Sequence, residues 1–397
     1  NMAAYRAYHR AMQMRDRDAS APGGSAYVEA LEEAVALDTS FGHAWAELVT
    51  ALAFQSSDGQ DPEWTLRAEE ALAQLEAVAP NSVDYLIGQG AYAYYALRDY
   101  DRAHELISQV NALTPSDVNA IRLRSWIEKR QGNFEALVES GREARRLDPR
   151  NAALTDALLA GLMVTHRYDD VLAEVEASSV ESLNLMRIRN LLGFREHRDF
   201  GRLQEQVQGL CHSVGQPDCG WLEHIGNRDF AAALESLNGS VAEVDSQTLS
   251  TTDRHRVFTL WLMGDEQIPE ADWQRWWEQV DTVSDRVADD PPATFYLSSA
   301  LLAGAQGNVE EAEDWVKRWQ KQRPIDWAER SFRRDEFCRV LGMIEATHAA
   351  VECIRDGLQE PSMIMPFFEP YLPFYDALRD KPEFIEMVVE IDGVESK

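Results

Sequence analysis

Cysteine is scarce in this chain, four residues in 397. That is too few for the bridge-dense framework of small secreted domains. A chain of this length needs no such framework, because two or three ordinary domains, or one long solenoid, bury an ample core. Cys211 and Cys219, in "CHSVGQPDC", could bridge a loop or join His212 around a metal. A metal site calls for more ligands at closer spacing. Thiols are the expectation, since unpaired cysteine behaves as a small hydrophobe.

Long apolar runs are missing as well. None approaches the ~20 residues of a membrane span. The opening "NMAAYRAYHRAMQMRD" carries charge through its middle, unlike a signal peptide. Cytoplasmic placement is the resulting expectation. Positive charge is also short: 38 Lys and Arg face 68 Asp and Glu, a formal net charge of −30. Such a surface repels nucleic acid phosphates and anionic lipid, and attracts basic partners. Its plainest role is solubility.

Catalytic punctuation is absent. There is no G-x-x-x-x-G-K-[ST], no G-x-G-x-x-G after a strand, no H-E-x-x-H and no G-x-S-x-G. The nine histidines are scattered without ligand spacing. "SSDGQDPE" lacks the ligand count of a calcium loop. No cofactor, no metal and no enzymatic activity are expected.

What is present is a repeat. Helix stops recur as "ALDT" at 36–39, "AVAP" at 77–80, "ALTP" at 112–115 and "RLDP" at 146–149. Pro80 and Pro115 stand 35 residues apart, Pro115 and Pro149 34. The turns "RDYDRA", "GNFEAL" and "HRYDDV" keep the same step, with Tyr100, Phe134 and Tyr168 spaced by 34. Later copies, "HRDFGRL", "NRDFAAAL" and "GNVEEAE", drift and shorten. The residue before the aromatic, such as Gly132, ends one helix in a left-handed conformation. The aromatic plugs the gap between helices, and Asp101, Glu135 and Asp169 favour the positive start of the next one. Ala34, Ala103 and Ala144 let helices approach, and proline stops each unit. Tyr100, Phe134, Tyr168, Ala144 and Leu147 are expected to be buried at the junctions.

A 34-residue step of two helices and two turns resembles the tetratricopeptide repeat. The resemblance is best defined over 83–178 and extends over most of the chain. It implies an all-α, right-handed α-α superhelix with degenerate C-terminal repeats. Two regions are expected: 1–240 with the more regular repeats, and 241–397 with degenerate repeats and a tail. The polar stretch 238–253 is a soft boundary between them. Trp273, Trp276, Trp277, Trp315 and Trp319 form stripes that read as helix-packing core. The tail "PSMIMPFFEPYLPFYDALRDKPEFIEMV" cannot be one helix through Pro366, Pro370 and Pro373. Its expected role is to cap the exposed end of the solenoid.

Both ends carry a narrower resemblance, in "AAYRAYHRAMQM" at 3–14 and in Leu378, Arg379, Asp380, Pro382 and Phe384 of "LRDKPEF". They are similar to the C-terminal repeat half of bacterial winged-helix regulators and class III nucleotide cyclases. No winged helix or cyclase core is visible here, so the resemblance implies an interaction or regulatory half, not those activities.

In tetratricopeptide arrays the first helix of each pair lines a concave groove. Aligning on the turns brings Tyr85, Tyr92 and Tyr95 there, then Asn119, Arg122, Trp126 and Lys129, then Asp156 and Met163. Aromatics beside Arg and Lys suit a peptide. Packing between helices would use the same tyrosines and Trp126 equally well. The family's clamp for a C-terminal carboxylate uses Lys and Asn at positions that here hold Ala46 and Thr50. Three functions are expected: a non-catalytic scaffold binding a protein or peptide; a regulatory half that self-associates and positions an output domain upstream of Asn1; and, with least support, a small-molecule sensor or unrecognised enzyme.

Overall fold

The computed structural model describes residues 1–17, 24–56, 62–178, 183–214, 220–238, 249–264, 268–284, 291–322 and 326–395. Among these there is no strand. The first helices are α1 (Met2–Arg17), α2 (Ser25–Leu37), α3 (Gly42–Ser56), α4 (Pro62–Val78), α5 (Val83–Tyr95), α6 (Tyr100–Leu113), α7 (Val118–Arg130), α8 (Phe134–Leu147) and α9 (Ala152–Val164). Then come α10 (Tyr168–Glu176), α11 (Leu183–His197), α12 (Phe200–Val214), α13 (Trp221–Gly226), α14 (Phe230–Ser236) and α15 (Thr251–Met263). The last are α16 (Glu270–Ser284), α17 (Ala293–Ala305), α18 (Val309–Lys321), α19 (Trp327–Met343), α20 (Thr347–Gln359) and α21 (Pro382–Glu395). Neighbours such as α3 and α4, α5 and α6, and α7 and α8 pack as hairpins. The chain is an all-α helical solenoid.

One turn recurs between the two helices of a pair. Two residues before the second helix, the backbone is left-handed at Arg98, Gly132, His166, Arg198, Arg228, Gly307 and Glu345, with φ between 49° and 81°. Only two of the seven are glycine. A side chain in that conformation costs roughly 1–2 kcal/mol, which contacts elsewhere must offset at the five non-glycine positions. Asp99, Asp199 and Asp229 stand next, at the N-cap, and accept from Arg102, Arg202 and Ala232 backbone N–H at 3.0, 3.1 and 3.2 Å. In five of the seven turns the residue after the cap is aromatic. Tyr100, Phe134 and Tyr168 are buried, as is Ala144.

Leu147 departs from the expectation and is 39% exposed. It is the final residue of α8, past the point where the neighbouring pair covers the helix; Ala144, one turn earlier, occupies the junction. Phe134 is 3% exposed at the head of α8. Phe134→Ala is expected to cost ~3–5 kcal/mol, the range for a buried aromatic whose site does not collapse. Urea unfolding measures it, and a loss below ~1 kcal/mol would be a surface-sized effect.

Two compact units form, Asn1–Leu158 and Leu159–Lys397. Residues 239–248 of the expected boundary lie outside the described residues. The tail belongs to the second unit. It consists of two short 3-10 turns, Glu369–Tyr371 and Pro373–Leu378, followed by α21. It runs back along the second unit, past one hairpin turn after another. Ser362 N–H donates to the Val164 carbonyl at 2.8 Å. Phe367 packs edge-on to Tyr168, and Phe368 against Phe194 and Phe200. Phe374 meets Trp221 and Phe258. Left-handed turn residues hold it directly: the His166 Nε2 faces the Ser362 carbonyl at 3.1 Å, Arg198 donates to the Tyr371 hydroxyl and Asp392 at 2.6 and 2.8 Å, and Arg228 donates to both Asp376 oxygens at 2.6 and 2.8 Å. The segment expected to close the array therefore ties helices on both sides of 240 into one body.

A buried ionic cluster fixes the tail further. Arg339 forks onto Glu369 at 2.9 and 2.8 Å, and the Tyr375 hydroxyl donates to Glu369 at 2.9 Å. Arg254 donates to Glu336 at 2.9 Å. Arg339 also pairs with Asp335, and Arg333 with Glu336. Of the tryptophan stripes, Trp276 and Trp319 are core, the latter stacked on Phe337 at 3.9 Å.

The cysteines depart from the expectation. Cys338 of α19 and Cys353 of α20 form a disulfide, their Cα atoms 5.5 Å apart and both side chains buried. Cys211 is disulfide-bonded too, while Cys219 and the side chain of His212 lie outside the described residues. Small hydrophobic character explained their burial but not their pairing across a hairpin. Such bridges persist chiefly in oxidising compartments, which weighs against the cytoplasmic placement. No helix among the described residues is long and apolar enough to cross a membrane.

Candidate functional site

In the first unit, α3, α5 and α7 each open a hairpin and pack side by side. Ser82 caps α5 by accepting from the Tyr85 backbone N–H at 3.1 Å. That start sets the phase of the helix. Tyr85 and Tyr92, seven residues apart, lie nearly one above the other, and Tyr95 stands about 60° round from Tyr92.

Tyr85 and Tyr92 turn toward the acidic side of α4. Burial raises the Tyr85 hydroxyl above its ordinary range, and a hydrogen bond with Glu76 adds to the shift. Burial raises Tyr92 likewise, with Glu69 adding. The Tyr85 hydroxyl also accepts from Gln89 at 3.0 Å. Both rings pack against the core of the first hairpins.

Tyr95 packs against this core and against the next one. Its ring meets Phe54 of α3 edge-on at 5.4 Å and Tyr94 at 4.6 Å. Burial pushes its hydroxyl well above the tyrosine range, and Tyr94 adds to this, while Arg122 and Arg130 of α7 pull it back. The Arg122 guanidinium lies 5.1 Å over the Trp126 ring, a cation–π pair. Arg130 donates to the Tyr94 hydroxyl at 3.2 Å. Three successive hairpins thus contribute to one patch: Phe54, Tyr95, then Arg122 with Trp126. Phe54 is 38% exposed, so the patch opens to solvent.

The remaining groove residues divide. Lys129 lies on α7 one turn beyond Trp126, and Asp156 lies on α9; both are half-buried. The side chain of Asn119 lies outside the described residues. Met163 is 4% exposed and offers no surface to a ligand; α9 is apolar all round, and its last turn is core. The clamp positions also carry no donor for a carboxylate. Ala46 is buried, and the Thr50 hydroxyl donates to the Ala46 carbonyl at 2.9 Å within its own helix. Phe54 did not emerge from the sequence, because it sits at the end of α3 beside the irregular insertion 55–63, out of step with the repeat. Its signal was an aromatic one turn beyond Thr50. No cluster of metal-ligating side chains is found among the described residues.

No family model matches the chain, and no curated protein matches it. Among solved structures, one similar chain comes from work on PilF of Pseudomonas aeruginosa: 14% identity, TM-score 0.37, covering 58% of this chain and 97% of that one. Another belongs to a structure of Naa15/Naa10 bound to HypK-THB: 10% identity, TM-score 0.28, covering 88% of this chain and 68% of that one. At such identities and scores the residue roles rest on the geometry of this chain.

Proposed function

We propose that the chain is a non-catalytic scaffold whose first unit holds a segment of a protein partner across Phe54, Tyr95, Arg122 and Trp126. The observation that carries the reading is the succession of Phe54, partly buried Tyr95 and the Arg122–Trp126 pair over three neighbouring helices, with Phe54 open to solvent. Contiguous apolar surface rimmed by polar groups marks interaction sites, and binding energy concentrates in Trp, Tyr and Arg. In a chain of net charge −30, Arg122 and Lys129 make a local basic island. The fitting segment carries an apolar or aromatic side chain for Tyr95 and Trp126 and one acidic group for the cations. Its remaining residues are neutral or basic, because the surrounding surface repels a wholly acidic peptide.

Selection from a displayed peptide library on the whole chain supplies a ligand, and titration then tests the site. Trp126→Ala is expected to weaken binding by ~2 kcal/mol or more. Arg122→Ala lowers the association rate and its salt dependence. Glu139→Ala, on the exposed side of α8, does little. If Trp126→Ala melts normally and binds like wild type while Glu139→Ala binds worse, the partner uses the opposite face.

A further inference from the structure

The outer helix of a repeat array ordinarily shows water a polar face. Two helices of this chain depart from that. α1 packs against α2 with Ala4, Ala7 and Ala11 buried. On its opposite side Met2 and Tyr5 are 69% and 54% exposed, beside exposed Arg6, His9 and Gln13. At about 100° per residue these five fall within one third of the circumference. The Tyr5 ring stacks on His9, with the centroids 6.2 Å apart. α21 packs against α20, with Phe384, Met387 and Ile391 buried. Its outward side carries Ile385 and Val389, one turn apart and 46% and 65% exposed, with exposed Glu386 alongside.

The two faces carry opposite charge. α1 holds four arginines against Asp16, whereas α21 holds five acids and no Lys or Arg. Some of these groups are engaged within their own unit: Arg10 with Glu33, Glu390 with Arg355, and Asp392 with Arg198. For Arg6 and Glu386 no ion-pair partner is found among the described residues.

We propose that the chain associates with a second copy of itself, the outward face of α1 in one molecule lying along the outward face of α21 in the other. Met2 and Tyr5 meet Ile385 and Val389, and Arg6 faces Glu386. Charge selects this pairing over like-with-like contact. α1 on α1 sets Arg6 against Arg6, α21 on α21 sets Glu386 against Glu386, and such juxtaposition of like charges costs affinity. Two chains of net charge −30 repel wherever no positive patch intervenes, and α1 supplies one. Contact along a single helix face buries less than the ~1,200 Å² of a stable complex, so the association is weak and depends on concentration. It is heterologous, and its repetition from copy to copy builds a ring or an open chain. The aromatic patch around Trp126 takes no part, so this reading and the peptide reading can fail separately.

Sedimentation velocity of the full chain tests it between about 1 µM and 1 mM, the range of weak complexes. The wild type is expected to pass from monomer to larger species as concentration rises. Tyr5→Asp and Val389→Asp, both at exposed positions, melt like wild type and each weakens association at least about tenfold. Mixed in equal amounts, the two variants form a dimer and nothing larger. The intact α21 of the first meets the intact α1 of the second, and the two altered faces set Asp against Asp. A second pair repeats the test without touching the apolar residues: Arg6→Glu and Glu386→Arg each weaken association, and the chain carrying both recovers it. A wild type that stays monomeric throughout, unchanged association in Tyr5→Asp or Val389→Asp, an equal mixture that gives no dimer, or a double charge variant that does not recover overturns the proposal.

Discussion

Removing residues 361–397 is expected to unfold the second unit, not merely to fray its end. Phe367, Phe368, Phe374, Tyr375 and Phe384 of that segment are all at most 2% exposed. Full burial of one such side chain stabilises by ~1.5–3 kcal/mol, so five together contribute roughly 8–15 kcal/mol. That equals the entire stability of an ordinary domain, ~5–15 kcal/mol. The truncation also strips Phe194, Phe200, Trp221 and Phe258 of their ring partners. Gly342 shows how close the fit is: a Cβ there would stand 2.5 Å from the Tyr375 ring and 2.7 Å from the Phe374 carbonyl. Circular dichroism melting should lose the transition of the second unit while that of the first persists, and gel filtration should show aggregation. A monodisperse product with an unchanged melting curve would mean that the tail contributes no stability.

The repeat was legible in the sequence because its physics is local. An aromatic every 34 residues, an acid beside it and a stop of Asp-Pro or Thr-Pro are set by neighbours a few residues away. They placed Tyr100, Phe134 and Tyr168 correctly. The left-handed turn is announced by glycine only at Gly132 and Gly307. Arg98, His166, Arg198, Arg228 and Glu345 adopt the same conformation without the glycine that announces it. For His166, Arg198 and Arg228 the compensation is a bond to a tail about 150–200 residues away in sequence, and no period reveals that. The Cys338–Cys353 bridge was hidden for a similar reason. A separation of 15 residues says nothing until a hairpin folds α20 against α19. At the candidate site, helical spacing grouped Tyr85, Tyr92 and Tyr95 as one set. It could not tell that the first two look toward Glu69 and Glu76 while the third looks toward Phe54 and Arg122. Neighbouring helices decide which of two adjacent faces is covered, and their positions are tertiary information.

Glu369→Ala is expected to cost nearly as much as the loss of a buried aromatic. Glu369 is 1% exposed and holds a bidentate pair with Arg339, itself 5% exposed by side chain. Breaking such a pair from one side costs up to ~3–5 kcal/mol; Arg339 keeps Asp335 as a second partner, so the lower end of that range is expected. Glu369→Gln should cost less, because the amide oxygen still accepts from Tyr375. Arg339→Met combined with Glu369→Leu should cost less than the sum of the two single changes, since neither member of the pair then faces an absent partner, and of the cluster only Asp335 loses its cation. The cluster also gives a pH signature. Burial first, then Glu369 and Glu336, push the Asp335 carboxyl up to about 6, against the pull of Arg339. A carboxyl whose folded pKa lies above its unfolded value is a proton acceptor of the folded state. Its contribution therefore falls as pH rises from about 4 to about 6. Glu336 acts in the opposite sense: burial alone would raise it, but Arg254 and Arg333 outweigh burial and hold it at about 2. Its contribution is present above the unfolded value and is lost as pH falls toward 2. In Glu369→Gln one of the charges that raise Asp335 is gone, so the loss of stability between pH 4 and 6 should shrink while the loss on the acid side stays. Urea unfolding of wild type and Glu369→Gln at pH 2, 3, 4, 5, 6 and 7 reads both slopes. Equal slopes in the two proteins, or a cost below ~1 kcal/mol for Glu369→Ala, would mean that the tail is not anchored through this pair.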